Sequence, residues 1–470
     1  MKRQKRLILC FILIYCFTTF STVAYATELT ASDSWPEGPG VYAEGAIVIE
    51  ASSGLILYEK NMNQTYYPAS ITKIMTALLA IENSSPGEIV TFSNNAVFGV
   101  DADSSRTGID VGEQLTMQQC LYAILLDSAN EVSYAVAEHV GGGDAAVFSK
   151  MMNDRAKSIG CLNTNFSNPH GLPDDYHVSS AYDMALITQE ALKNPSFRKI
   201  FSTRTYQIPP TNKQSEIRYI ANHHKFVLKQ DYFYDDCIGG KTGYTSKAKY
   251  TLVTAAKRGD LELICVVMKD DSSAHQYTDT QKLLDYGFNN FSIYPIADME
   301  SSSVLYESPF FTRYNSILSK SDASIKTDEK GFLVLPNNAS FEDAVKAVSF
   351  FSTSDDKDGH DVIGNISYTY RGKYVGGADI LFNNLETPTL FHKDLGPEEE
   401  VVVTAPEKVA SVNSGGYLRP IIIGIIVGLF VLIIGLYFVL VERPRLKRRS
   451  AYYKKKANRR SYKDDNFMDL

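Results

Sequence analysis

Along the chain the spacing of apolar residues changes period several times. The first clear signal is a pair of short apolar-rich runs, residues 45–51 and 55–59, joined by Ser52-Ser53-Gly54, which predicts a β-hairpin. Pro68-Ala69-Ser70 then opens a stretch in which Ile71, Ile74, Met75, Leu78 and Leu79 recur at helical spacing. Residues 116–140 continue as helix up to the stop Gly141-Gly142-Gly143. Residues 163–180, rich in Asn, Pro, Gly and Asp, read as a long loop, and helix resumes over 181–192. A second hairpin is predicted from 250–256 and 261–268 around Arg258-Gly259-Asp260, followed by a closing helix over 281–288. From Ile293 onwards the runs become short and strand-like: 332–335, then 366–370 and 374–381 around Arg371-Gly372-Lys373.

Two apolar runs are of another kind. Residues 7–20 follow Lys2, Arg3, Lys5 and Arg6 and lead to Ala24-Tyr25-Ala26, the layout of a secretory signal cut after Ala26. Residues 421–441 contain neither charge nor proline; at about 1.5 Å per residue they cover about 30 Å, one bilayer core. Arg443, Arg445, Lys447, Arg448 and Arg449 follow at once, which places the tail in the cytoplasm. The expected organisation is therefore a signal peptide (1–26), a main domain (41–293) and a small β domain (294–390). A stalk (391–418) with Glu398-Glu399-Glu400 and Ser414-Gly415-Gly416 follows, then a transmembrane helix (419–441) and a basic tail (442–470). The body would be extracytoplasmic and held by a single pass.

Composition sharpens this picture. Apolar residues make up 44% and charged residues 21% of 470, which suits a chain with real cores. The net charge of −7 is segregated: residues 1–26 carry +4, the tail 442–470 carries +7, and 27–441 hold 32 basic against 50 acidic residues. So acidic a body argues against nucleic acid as a partner, since phosphate-backbone binding runs on Lys and Arg. Once the signal is removed, Cys120, Cys161, Cys237 and Cys265 remain, each in apolar surroundings and without metal-site spacing. They read as four separate small hydrophobes.

Three short motifs carry candidate chemistry. Ser70-Ile71-Thr72-Lys73 puts a lysine one helical turn from a serine, on the same face, where a neutral amine can take the hydroxyl proton. Ser128-Ala129-Asn130 follows an apolar helix, and Lys241-Thr242-Gly243 leads into the second hairpin as an edge strand. There a glycine lets a substrate backbone approach, while Lys and Thr can meet a carboxylate. Ser-x-x-Lys recurs at Ser196, Ser246 and Ser354, and Ser-x-Asn at Ser93 and Ser411, so each is weak alone. Helix capping by Ser70 and a plain strand end at Lys241 are the bland readings.

Their order, with gaps of 58 and 113 residues, belongs to a set known from serine enzymes that act on penicillin. Together with Tyr67-Pro68-Ala69-Ser70-Ile71-Thr72-Lys73-Ile74-Met75-Thr76, Asn168-Pro169-His170-Gly171-Leu172 and Lys241-Thr242-Gly243-Tyr244-Thr245, the chain from 45 to 288 resembles the low-molecular-weight penicillin-binding proteins, the serine D-alanyl-D-alanine carboxypeptidases. The resemblance implies an α/β (α+β) transpeptidase-like domain, an antiparallel sheet flanked by helices, with a small all-β domain behind it. It implies removal of the terminal D-alanine from peptidoglycan stem peptides through an acyl-enzyme on Ser70. Lys73 would be the base, Ser128 a proton relay and Asn130 a contact to the substrate amide. Lys241 and Thr242 would hold the terminal carboxylate and assist proton transfer, with Gly243 letting the substrate backbone approach. The N–H groups of Ser70 and Tyr244 would form the oxyanion hole. β-Lactams would acylate the same serine. No cofactor or metal is implied, and His170, His177, His223 and His224 read as loop-packing residues.

Three positions depart from the family pattern: Glu131 where Asp is frequent, Lys249 where glycine is common, and Gln276 where many relatives carry a carboxylate-binding arginine. Rival readings are a D,D-endopeptidase sharing the same motifs, a catalytically quiet wall sensor, and a class A β-lactamase. The last needs a loop glutamate, and none occurs between Cys161 and Gln189, where Asp174, Asp175 and Asp183 are the only carboxylates.

Overall fold

The computed structural model describes residues 35–228, 232–299, 324–350, 356–357 and 360–383, with single positions 444 and 451. The chain divides into two units, 1–403 and 404–470. The second contributes only the helical positions 444 and 451; everything below belongs to the first.

The predicted first hairpin forms as β1 (Gly45–Glu50) and β2 (Ile56–Lys60). A 3-10 turn, Ala69–Thr72, then runs into helix α1 (Lys73–Asn83). Strands β3 (Ile89–Thr91) and β4 (Gln114–Thr116) pair across the short helix α2 (Asn94–Phe98). Five more helices follow: α3 (Met117–Leu125), α4 (Asn130–Val140), α5 (Ala145–Ile159), α6 (Ala181–Leu192) and α7 (Pro195–Phe201). After the small pair β5 (Thr205–Ile208) and β6 (Arg218–Ala221) come β7 (Cys237–Thr245), β8 (Lys249–Arg258), β9 (Leu261–Asp270) and helix α8 (Ser273–Asn290).

The first sheet has the order β2-β1-β9-β8-β7 and is antiparallel throughout, with β7 on the edge as expected. Its central strands are buried on both faces. In β1, Ile47 and Ile49 join the apolar cluster under the helices, while Ala46 and Val48 join the one on the opposite face with α8. In β9 the same alternation separates Ile264, Val266 and Met268 from Leu263, Cys265 and Val267. Burial on both sides is why these strands read as nearly continuous apolar runs.

The second cluster continues into another sheet. It comprises β10 (Phe291–Pro295), β12 (Phe332–Pro336), β16 (Lys373–Asn383), β15 (His360–Tyr370) and β13 (Val345–Phe350) in that order. β11 (Ser324–Thr327) lies on β16 and β14 (Asp356–Lys357) on β15. The strand runs foreseen beyond Ile293 are therefore present. Leu333, Leu335, Ile366, Val375 and Ile380 share one apolar cluster with Val48, Leu252 and Leu284, and the first strand of this sheet begins at Phe291.

Three expectations need correction. Ser70 does not directly open an α-helix: it lies in the 3-10 turn, because Ala69 takes a left-handed conformation (φ 52°) and α1 starts only at Lys73. Residues 116–140 are not one helix, since the chain breaks at 126–129 with Ser128 at φ 61°. The closing helix is longer than 281–288, because Ser272 caps it by accepting a hydrogen bond from the His275 N–H. Cys120, Cys161, Cys237 and Cys265 are free thiols. Among the described residues no helix is long and apolar enough to cross a membrane. The expected signal (1–26), stalk (391–418) and spanning helix (419–441) lie outside the described residues, as does the tail (442–470) apart from positions 444 and 451.

Candidate active site

The site is a seam between the β7 edge of the first sheet and the helical layer. Ser70 enters it on a turn that is tied down from three sides. Thr251 on β8 donates its hydroxyl to the Pro68 carbonyl at 2.9 Å. The 163–180 loop presses on the other flank, where a β-carbon on Gly171 (φ 87°) would lie 1.9 Å from the Ala69 oxygen. On β7, a β-carbon at Gly243 would come within 2.9 Å of the Ser70 nitrogen and 2.3 Å of Thr251 Oγ1. The glycines of two motifs are thus required by close backbone approach.

Lys73 is fully buried at the first position of α1. Its Nζ lies 3.1 Å from Ser70 Oγ, 2.6 Å from Asn130 Oδ1 and 2.6 Å from the His170 carbonyl oxygen. Burial, and next the charge of Lys241, holds the amine well below its usual pKa, against the opposing pull of Glu131. A neutral amine has two N–H donors and one lone pair. Two of the neighbours, a side-chain amide oxygen and a backbone carbonyl, can only accept. They occupy both donors and leave the lone pair for the Ser70 hydroxyl, so Lys73 is set up to accept that proton.

The break between α3 and α4 supplies the next two residues. A continuous helix would send positions 128 and 130 to different faces; the left-handed Ser128 instead buries its side chain and lets Asn130 head α4, on Lys73. A non-glycine residue held in this region marks strain tolerated at a working position. Glu131 braces the arrangement, its Oε1 accepting from the N–H groups of Thr107 at 2.7 Å and Gly108 at 3.0 Å. Burial raises the pKa of this carboxyl.

Lys241 is buried on β7 and donates to the Thr242 carbonyl at 3.0 Å. Burial pulls its pKa to about 7, while the Asp127 carboxylate works in the opposite direction. Thr242 is half-buried and Tyr244 is exposed, its ring 4.6 Å from that of Tyr250. Ser70, Lys73 and Asn130 are thus hydrogen-bonded together, Gly243 abuts the Ser70 nitrogen, and Lys241 acts on Lys73 through its charge. Helix capping does not explain Ser70, because the N-cap position of α1 is Thr72.

The histidines are accounted for by packing. His177 bridges Thr72 Oγ1 (2.8 Å) and the Ser167 N–H (3.0 Å), and His224 bonds Thr254 Oγ1 at 2.8 Å. Burial pushes them down to about 4 and about 3 respectively, and His170 likewise, so all three are neutral at physiological pH. His223 faces Asp127 at 3.5 Å. Sequence reasoning did not single out the His170 carbonyl, because a backbone oxygen leaves no trace in residue identity; the Asn168–Leu172 string around it was the only signal. Gln276 is buried in α8, with its Oε1 lacking a hydrogen-bond partner. A cavity of ≈ 480 Å³ lined by Arg198, Arg204, Phe226 and Lys257 includes none of these site residues.

Antiparallel sheet, helical layer and a half-buried serine on a buried lysine together define a mixed α/β fold of the penicillin-binding, transpeptidase-like type. Residues 32–272, just over half of the chain, match the peptidase S11 family of D-alanyl-D-alanine carboxypeptidases, and the chain belongs to that family. It is 36% identical over 259 residues to D-alanyl-D-alanine carboxypeptidase DacF of Bacillus subtilis, covering 54% of this chain and 64% of that protein. With D-alanyl-D-alanine carboxypeptidase DacA of Escherichia coli it shares 32% over 286 residues, 58% of this chain and 68% of the other. The crystal structure of the Streptomyces K15 DD-transpeptidase superposes with a TM-score of 0.51 at 29% identity, over 54% of this chain and all of that one.

Proposed function

We infer that this chain is a penicillin-binding serine D-Ala-D-Ala carboxypeptidase. The observation that carries the reading is the placement of Lys73 Nζ, whose two fixed acceptors direct its lone pair at Ser70 Oγ. Ser70 attacks the carbonyl carbon between two terminal D-alanines while its proton passes to Lys73. The N–H groups of Ser70 and Tyr244 meet the developing oxyanion, a contribution of about 3–4 kcal/mol per donor in comparable sites. Asn130 binds the substrate amide, Lys241 and Thr242 receive the terminal carboxylate, and Gly243 lets the substrate backbone approach. Ser128 hands a proton to the departing D-alanine nitrogen, and water then cleaves the ester on Ser70.

Slow release of bound β-lactam follows from the loop facing the serine. The three carboxylates between Cys161 and Gln189 are engaged elsewhere: on the loop, Asp174 with Ser167 and the Tyr176 N–H and Asp175 with Lys247, and in α6, Asp183 with the Asn163 N–H and Thr164. None is free to drive a deacylating water, which disfavours the β-lactamase reading. We further read 1–26 as an export signal, 294–390 as a supporting β domain, and 419–441 as a single membrane pass with the 442–470 tail inside. The apolar and basic runs of the sequence support this reading, and a reporter fused after Leu470 tests it: exposure of the reporter outside the cell overturns it.

Incubating the purified full chain with a stem pentapeptide ending in D-Ala-D-Ala and with cross-linked peptide dimers tests the activity. Release of free D-alanine, lost in Ser70→Ala, is expected. Cleavage of dimers without D-alanine release would make the protein an endopeptidase, and neither product would leave the quiet sensor.

A further inference from the structure

A second group of chemically interesting residues lies at the end of β9, outside the serine seam. Asp270 closes that strand, Asp271 follows it, and His275 sits in the first turn of α8. One ligand atom from each lies within 4.8 Å of the other two. His275 Nδ1 and Asp271 Oδ1 are 2.5 Å apart, an (i, i+4) pair that needs no further explanation.

Asp270 does need one. It is fully buried, yet neither carboxylate oxygen has a hydrogen-bond partner. Burial, and next the charge of Asp279, push its pKa up to about 7, against the opposing pull of the Asp271 and Ser272 N–H groups. Leaving such a group bare is unfavourable, and more so when it is charged. Asp279, one turn beyond His275, adds a third carboxylate whose charge acts on Asp270. It is also fully buried, and although its Oδ2 accepts from the N–H groups of Tyr42 and Ala43, its Oδ1 has no hydrogen-bond partner. Lys282 stands 3.8 Å from Asp279 Oδ1, and Lys269, next to Asp270 in the chain, pairs with Glu44. The Tyr42 ring stacks on His275 at 3.8 Å and fixes the imidazole plane. Three carboxyl groups are thus crowded together, with inward-facing oxygens on Asp270 and an oriented imidazole nitrogen beside them, and His275 and Asp271 leave the group open to solvent.

We propose that Asp270, Asp271 and His275 bind one divalent first-row metal ion, of the Zn²⁺ or Mn²⁺ kind. Two carboxylates with one imidazole suit these ions better than Ca²⁺, which prefers six to eight oxygens. The cation supplies Asp270 with the partner it lacks and takes the place of the direct His275–Asp271 contact. It also ties the end of β9 to α8 next to Tyr250, the β8 partner of Asp270.

The test is titration of the metal-stripped full chain with ZnCl₂, and separately with MnCl₂, read by calorimetry and by metal content after dialysis. CaCl₂ and the exposed-site variant Asp154→Asn serve as references. One equivalent of Zn²⁺ or Mn²⁺ is expected, weakened roughly tenfold or more by Asp270→Asn and by His275→Gln, unchanged by Asp154→Asn, with penicillin labelling of both site variants showing that they fold. Absence of stoichiometric binding by both ions overturns the proposal, as does binding that survives in either folded site variant.

Discussion

The serine seam and the second sheet solve opposite problems with the same chain. Around Ser70 the interior is polar: Lys73, Ser128, Asn130, Glu131, His170, His177 and Lys241 are all buried. Among the described residues beyond 290, Asp328 is the only buried polar or charged residue, and the interior is built from residues such as Leu333, Val334, Leu335, Ile366, Val375 and Ile380. Burying charge is unfavourable unless it is paired or suppressed. The seam does both, through fixed carbonyl acceptors and lowered lysine pKa values, and what the unfavourable burial leaves behind is a reactive amine. The second sheet has no such chemistry to maintain, and its strands pack as ordinary core.

Substitutions should separate the two regions sharply. Lys73→Met should lower the rate of penicillin acylation by roughly 10²–10⁴, the usual worth of a general base, with little change in stability, measured by stopped-flow with a fluorescent penicillin. Asn130→Ala should slow the same reaction by roughly 100-fold, since it removes one of the two acceptors that orient the amine. In the second sheet Leu335→Ala should destabilise the protein by about 2–5 kcal/mol, read by denaturant unfolding, while the folded fraction acylates at the normal rate. A large acylation defect in that variant would mean the sheet reaches into the chemistry.

The pH profile sharpens the comparison from within the seam. A lysine with a depressed pKa is charged below that value and neutral above it. Lys73 must be neutral to act as base, so protonation on the acid side should slow acylation. Lys241 must be charged to meet a carboxylate, and in the free enzyme it loses its proton around pH 7. The kcat/KM for the pentapeptide should therefore fall above roughly pH 7. A plateau extending to pH 10 would show that the Lys241 charge is not used.

The smallest expected effect lies at the β7–β8 turn. Lys249 occupies a left-handed conformation (φ 57°), which is where the family pattern favours glycine. Lys249→Gly should stabilise the fold by about 1 kcal/mol, seen as a rise in Tm.

That departure was legible in the sequence because backbone strain is tied to residue type. So were the two hairpins, the β7 edge and the helix Ala181–Leu192, whose apolar periods are set by one or two buried faces. The break at Ser128 was not, because residues 116–140 keep a helical pattern across it and nothing in the local sequence demands φ 61°. Helices α5 and α7 and the β5–β6 pair also escaped, their patterns being short or strongly polar. At the site, Ser70, Lys73, Asn130 and Gly243 could be named from motif order. The His170 carbonyl and the Glu131 brace could not, since both depend on a loop folding back over distances the sequence does not encode.

The most direct test of the central claim is peptide mapping by mass spectrometry after the full chain reacts with benzylpenicillin. A single covalent adduct on Ser70, absent from Ser70→Ala, is predicted. An adduct on any other residue, or no adduct on a folded chain, would contradict the assignment of Ser70 and Lys73 as nucleophile and base.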